Sequence, residues 1–278
     1  MISHGQGMGR MLLVNGVGIT SLTPVTKTMA HLPLASLPRA PDSALVICFG
    51  MGTTFRSALS WGISVKAVEL VPSVKEAFGY FFDDAQSVLA NKRGRIVIDD
   101  GRRFLKRTSE TFDVITVDPP PPVEAAGSSL LYSEQFYQLV RTRLRDDGIL
   151  QQWFPGGEDK ILHAVAGSLV RSFPHVRVFR SSEDWGYHFL ASKNPIHLPG
   201  VDEMLARMPE AAQRDLLEWS RGADIHDVVK KILNREVGLP TVSDPHGGLS
   251  ISDDRPFNEY YVLRRQLAYR NKTFRIAH

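Results

Sequence analysis

Along the chain, short runs of Val, Ile, Leu and Phe alternate with stretches of helical period. Residues 44–50 (ALVICFG), 65–71 (VKAVELV), 94–100 (GRIVIDD), 112–118 (FDVITVD) and 148–154 (GILQQWF) read as strands. Between them, residues 53–61, 72–82, 102–107, 133–144 and 158–173 place apolar side chains three and four apart, the spacing of a helix buried on one face. Continuous apolar strands separated by amphipathic helices predict a mostly parallel sheet covered on both faces. Residues 175–181 and 186–192 are two strands with no helix between them, which predicts an antiparallel hairpin at one edge. Before this series, MLLVNGVGIT reads as a hairpin turning at Asn15-Gly16, followed by a Pro-containing lead-in, SLTPVTKTMAHLPLASL. After it, residues 199–238 read as helices and residues 239–250 as a Gly- and Pro-rich loop. The pattern divides the chain into an N-terminal β-element and lead-in (1–40), a main α/β unit (41–198) and a helical extension (199–278).

Composition narrows this picture only slightly. Of 278 residues, 43% are hydrophobic, enough for one large domain with an appendage. The net charge of +3 comes from scattered Lys and Arg, so no nucleic-acid surface is expected. Cys48 is the only cysteine, which excludes an internal disulfide and fits a reducing, cytoplasmic setting. The histidines lack metal-ligand spacing, and no metal is expected. No apolar run reaches membrane-spanning length.

In a parallel sheet of this kind, ligands bind beyond the carboxyl ends of the strands. Those ends carry Gly50-Met51-Gly52, Glu69-Leu70, Asp99-Asp100-Gly101 and Asp118-Pro119. Glycines let the backbone turn tightly and approach a ligand. Glu69 follows them at the distance at which a carboxylate reaches ribose hydroxyls. A nicotinamide site shares those two features. A G-x-G-x-x-G loop, however, needs a third small residue, and Phe55 stands in that place. The acids after residue 98 suit an adenine amino group, so the pattern points to an S-adenosyl ligand without a pyrophosphate.

VICFGMGTTFRSAL, VKAVELVPSVKEAF, RIVIDDGRRFLK, FDVITVDPPPP and SLLYSEQFYQLVRTRLRDDGIL together resemble the spermidine/spermine synthases, the polyamine aminopropyltransferases. The likeness runs from about residue 11 to 192. LTPVTKTMAHLPLA, the DPPPP run and SDDRPFNEYY resemble a divergent branch in which such a domain is often fused to a membrane transporter. The resemblance implies the Rossmann-like class I S-adenosylmethionine-dependent methyltransferase fold behind a small β-element. It also implies decarboxylated S-adenosylmethionine as donor, a small amine as acceptor, and a homodimer. The family's catalytic base maps onto Asp118, and prolines 119–122 would hold the neighbouring loop extended. Tyr132 and Trp153 are pocket candidates.

Three positions depart from the family pattern. Met51 stands where the family carries an aspartate between its glycines, Pro121 replaces a second aspartate, and Val25-Thr26 replaces a Tyr-His pair. These positions normally help to hold cationic amines, whose burial needs compensating carboxylates. Without an acid at Met51, and with Lys27 in reach, intact S-adenosylmethionine becomes a second possible donor. Methyl transfer and a non-catalytic nucleoside-binding sensor therefore stand beside aminopropyl transfer. Asp253-Asp254-Arg255-Pro256 reads as a helix N-terminus or as a charged closure over the site.

Overall fold

A computed structural model of the chain describes residues 2–5, 7–14, 17–120, 122–220, 222–244, 246–259, 261–263 and 265–267. The Asn15-Gly16 turn and Pro121 lie outside the described residues. The chain opens with β1 (Ile2–His4), β2 (Met11–Val14) and β3 (Val17–Ser21), which form a three-stranded antiparallel sheet rather than a two-stranded hairpin. β1 comes from a stretch whose Gly and His residues hide any strand pattern.

The lead-in is a helix, α1 (Pro24–Ala35), and nearly every residue of it is buried. Thr23 caps it and Pro24 starts it, where a missing N–H costs nothing. Pro33, inside the helix, interrupts the helical pattern, and the sequence reading of the segment as a lead-in assigns it no element. Its ring leaves the Met29 carbonyl without a helical donor, and the Thr116 hydroxyl donates to that carbonyl at 3.0 Å instead. The main sheet therefore repairs the break.

That sheet is built from β4 (Ser43–Ile47), β5 (Ser64–Glu69), β6 (Gly94–Ile98), β7 (Phe112–Val117), β8 (Leu144–Phe154), β9 (His175–Arg180), β10 (Tyr187–Ser192) and β11 (Glu236–Val237). Its order is β11-β9-β10-β8-β7-β4-β5-β6. β4 to β8 run parallel, and β10 inserts antiparallel between β8 and β9. The expected hairpin is present, but β11, from the expected helical extension, covers its outer side. The strand order reverses between β4 and β7, which places a crevice at their carboxyl ends.

Between the strands lie α2 (Thr53–Leu59), α3 (Pro72–Glu76), α4 (Phe78–Phe81), α5 (Ala85–Leu89), α6 (Gly101–Arg107), α7 (Glu134–Arg143) and α8 (Asp159–Ser172). α9 (Val201–Arg207), α10 (Glu210–Leu217) and α11 (Ile225–Leu233) follow β10. Two apolar layers sandwich the sheet. One holds Leu32, Leu34, Phe55, Phe78, Met204 and Leu216, the other Phe136, Val140, Ile161, Leu169 and Ile251. The faces of α9–α11 are thus spent within the chain, so they give no argument for a dimer. Among the described residues no helix is long and apolar enough to cross a membrane.

The first and last parts of the chain meet in a buried polar cluster. Lys27, 0% exposed, places its ammonium 3.0 Å from Asp215 and 2.7 Å from Glu218, over the ring of Trp219. Asp215 also accepts from His31 Nε2 at 2.8 Å, Ser57 Oγ at 2.6 Å and Arg56 at 3.0 Å. Trp61 donates to the other ring nitrogen of His31. Burial alone would raise the Asp215 carboxyl, but the His31 hydrogen bond and the charges around it outweigh burial and hold it far below the usual range.

Candidate functional site

Gly50 and Gly52, at φ +55° and +82°, form the turn after β4. A side chain at Gly52 would strike the rings of Phe78 and Phe49 within 2.6 Å. The residue between them, Met51, turns into the apolar core. Just before the turn, Cys48 holds φ +70°, a strained value for a residue with a Cβ.

Glu69 ends β5 and fastens this turn. Its carboxylate accepts backbone N–H groups of Phe49 at 3.0 Å, Gly50 at 3.4 Å and Val71 at 2.9 Å. A carboxylate has about four acceptor positions, so one remains for a further donor. Beside it, Leu70 is 64% exposed and offers an apolar surface. Asp99 pairs with Arg103 and accepts from the Asp100 N–H at 2.8 Å. Asp100 caps α6 by accepting from the Arg103 N–H at 2.7 Å. At Gly101 a Cβ would collide with Ile47, so helix and strand meet closely there.

Asp118 follows β7 at the crevice. Its backbone N–H donates to Ile47, and its carboxylate has no partner among the described residues. Burial pushes it up to about 7. The Cys48 thiol is pushed well up by burial and then by the charges of Glu69, Asp118 and Asp100. Cys48 thus marks a point that the charges of Glu69, Asp118 and Asp100 all reach. Next to Asp118, Pro119 is buried. Tyr132 is fully buried, and its hydroxyl has no hydrogen-bond partner among the described residues.

Trp153, near the end of β8, lies 4.7 Å from the His188 ring and 5.3 Å from Trp185, and packs against Val25 and Met29 of α1. Burial lowers His188 to about 3, so it is neutral. Lys27 does not join this group; its ammonium belongs to the Asp215–Glu218 cluster.

The loop after Asp118 is held by the last described part of the chain. Asn258 donates to the Val123 carbonyl and to Ser128 Oγ. Glu259 accepts from the Ser129 N–H at 3.1 Å and from its hydroxyl. Asp253 pairs with Arg102 and accepts from Ser133 Oγ at 2.6 Å. Within the SDDRPFNE stretch Ser252 and Arg255 bridge to form a turn, and the side chains that follow brace the loop after Asp118. In sequence its clustered charges were visible, but their partners were not.

A family model described as the spermine/spermidine synthase domain matches residues 22–167. The polyamine aminopropyltransferase of Thermoplasma volcanium is 30% identical over 179 residues, 62% of this chain and 64% of that protein. That of Saccharolobus solfataricus is 34% identical over 123 residues, 43% of this chain and 41% of that protein. The match thus spans less than two thirds of either relative's own length. Among solved structures, the spermidine synthase of Thermotoga maritima shares the fold with a TM-score of 0.62 at 21% identity, covering 81% of this chain and 77% of that one. Human methyltransferase-like protein 13 in complex with SAH gives 0.52 at 19% identity, covering 72% and 92%.

Proposed function

The chain belongs to the spermine/spermidine synthase family, and from that premise we propose that it transfers an aminopropyl group from decarboxylated S-adenosylmethionine to a small amine. The observation that carries this reading is Asp118, a carboxylate at the switch point with no partner among the described residues, pushed by burial up to about 7. A base with that affinity is matched to work near neutrality.

In this reading Glu69 and Asp100 hold the nucleoside, and Leu70 lies along it. The amine lone pair attacks the aminopropyl carbon bonded to sulfur. As the C–N bond forms, the C–S bond breaks and its electron pair returns to sulfur, leaving methylthioadenosine. The surplus proton on the new secondary amine passes to Asp118. A homodimer belongs to the same reading, and light scattering at micromolar concentration tests it.

Methyl transfer from intact S-adenosylmethionine is the second reading. It is favoured by Met51, which puts no acid beside the glycine turn to repel a donor carboxylate. Product analysis separates the two. Decarboxylated donor plus an amine should yield methylthioadenosine, whereas a methyltransferase would release S-adenosylhomocysteine from the intact donor. Asp118→Asn should lower aminopropyl turnover about 10²–10⁴-fold while leaving methylthioadenosine affinity nearly unchanged. Absence of any turnover in wild type, with nucleoside binding retained, would leave only a sensor.

A further inference from the structure

The loop after Asp118 rejoins the fold at Ser133, which caps α7 by accepting from the Phe136 N–H at 3.2 Å. Both ends of this loop lead to Asp253. At the far end, Ser133 Oγ donates to Asp253 Oδ1 at 2.6 Å, and the Asp253 N–H donates to Gln135 Oε1 at 3.1 Å. At the near end, the Asp118 N–H donates to the Ile47 carbonyl at 3.2 Å. Ile47 in turn packs so closely on α6 that a Cβ at Gly101 would fall 2.5 Å from its side chain. One residue along, Arg102 reaches Asp253 with both terminal nitrogens, Nη1 at 2.7 Å from Oδ1 and Nη2 on Oδ2.

The turn that presents Asp253 has its own anchors. Ser252 and Arg255 exchange two backbone hydrogen bonds, at 3.2 and 3.0 Å. The Ile251 N–H donates to Ser168 Oγ of α8 at 2.7 Å, and its carbonyl accepts from the Glu134 N–H of α7 at 2.9 Å. The turn is thus fixed to α7 and α8, and the Arg102 fork joins α6 to it. Exposed ion pairs contribute little. Here, however, Arg102 is 13% exposed, the fork is bidentate and Ser133 is fully buried, so the pair fixes direction as well as charge. Farther along both helices, Arg143 Nε donates to the Leu105 carbonyl at 2.9 Å, so α6 and α7 stay joined without the fork.

We propose that Arg102 and Asp253 are positioning residues that link the nucleoside side of the site to the loop after Asp118, so that a nucleoside held at Asp100 orders that loop. Asp100 caps the helical turn that carries Arg102. A ligand that stills this turn reduces the conformational entropy still to be lost when the fork grips Asp253, and with it Ser133 and the far end of the loop. The seat of the nucleoside at Asp100 rests on the reading given above; the fork and its partners do not.

Hydrogen exchange with and without saturating methylthioadenosine tests this. In wild type the nucleoside should slow amide exchange in residues 98–105 and also in residues 128–137, the latter about 5–100-fold. Arg102→Gln should keep the first effect and lose the second, with methylthioadenosine affinity nearly unchanged. Arg102→Lys, which keeps the charge without the fork, should recover part of it, and Asp253→Asn should repeat the loss from the other partner. Slowing of residues 128–137 that is equal in wild type and both neutral variants overturns the proposal. So does slowing confined to residues 98–105 in wild type. No effect of the nucleoside on either stretch overturns it together with the nucleoside reading. Fork-dependent ordering without aminopropyl transfer would refute the reaction and uphold the link. Transfer accompanied by fork-independent ordering would do the reverse.

Discussion

Asp118 is costly to ionise, and that has two measurable signs. Folded, it releases its proton at about pH 7; unfolded, it does so near the ordinary value of about 3.9. The native state therefore holds an extra proton between those values, and the associated stability, complete below about pH 4, is lost as pH rises through 7. Asp118→Asn should melt with wild type at pH 4 but above it at pH 8, by about 2–4 °C for each kcal/mol released. Activity runs the opposite way: kcat/KM should climb roughly tenfold per pH unit below 7 and level off above it. A wild-type profile flat from pH 5.5 to 8 would remove Asp118 as the base. Asp118 was legible because a polar residue that ends an apolar strand has few structural reasons to exist. Cys48 was not, because nothing in an apolar run records a positive φ. Lys27 reads as close to the donor end, yet its carboxylate partners lie on a helix far along the chain.

At the scale of elements, strands β4 to β8 stand where the apolar runs put them, because a doubly covered sheet leaves a plain signal. That α1 reads only as a lead-in has a definite cause. Pro33 breaks the helical pattern locally, and the repair comes from Thr116, a residue no local pattern can invoke. The turn at residues 251–259 is similar: its charges are evident, but not that Glu259 holds Ser129, nor that the Asn258 amide holds Val123 and Ser128. Glu259→Gln keeps the shape and weakens the hold on Ser129. It should lower kcat several-fold, leave methylthioadenosine affinity unchanged, and leave the pH at which kcat/KM turns over in place. A matching loss of nucleoside binding would show that the brace supports the whole rim rather than this loop.

For the molecule as a whole, the Lys27–Asp215 cluster ties α1 and α2 to α10. Residues 41–198 form the unit most visible in the sequence, yet Arg56 and Ser57 within it are completed by Asp215 outside it. Removing one partner of a buried charge cluster costs about 3–5 kcal/mol. Asp215→Ala should lower the denaturant midpoint accordingly, with an unchanged slope, whereas an exposed pair such as Arg214–Glu210 should cost less than about 1 kcal/mol. A loss under 1 kcal/mol in Asp215→Ala would mean that the extension docks by apolar packing alone. The brace from residues 251–259 carries a further consequence in time. A ribosome delivers the chain from its N-terminus, so Asp118 and its loop emerge more than a hundred residues before the side chains that fix them. The sheet can assemble while the loop after Asp118 is still unbraced, and under the proposed reading catalytic competence waits until residues 253–259 have been made.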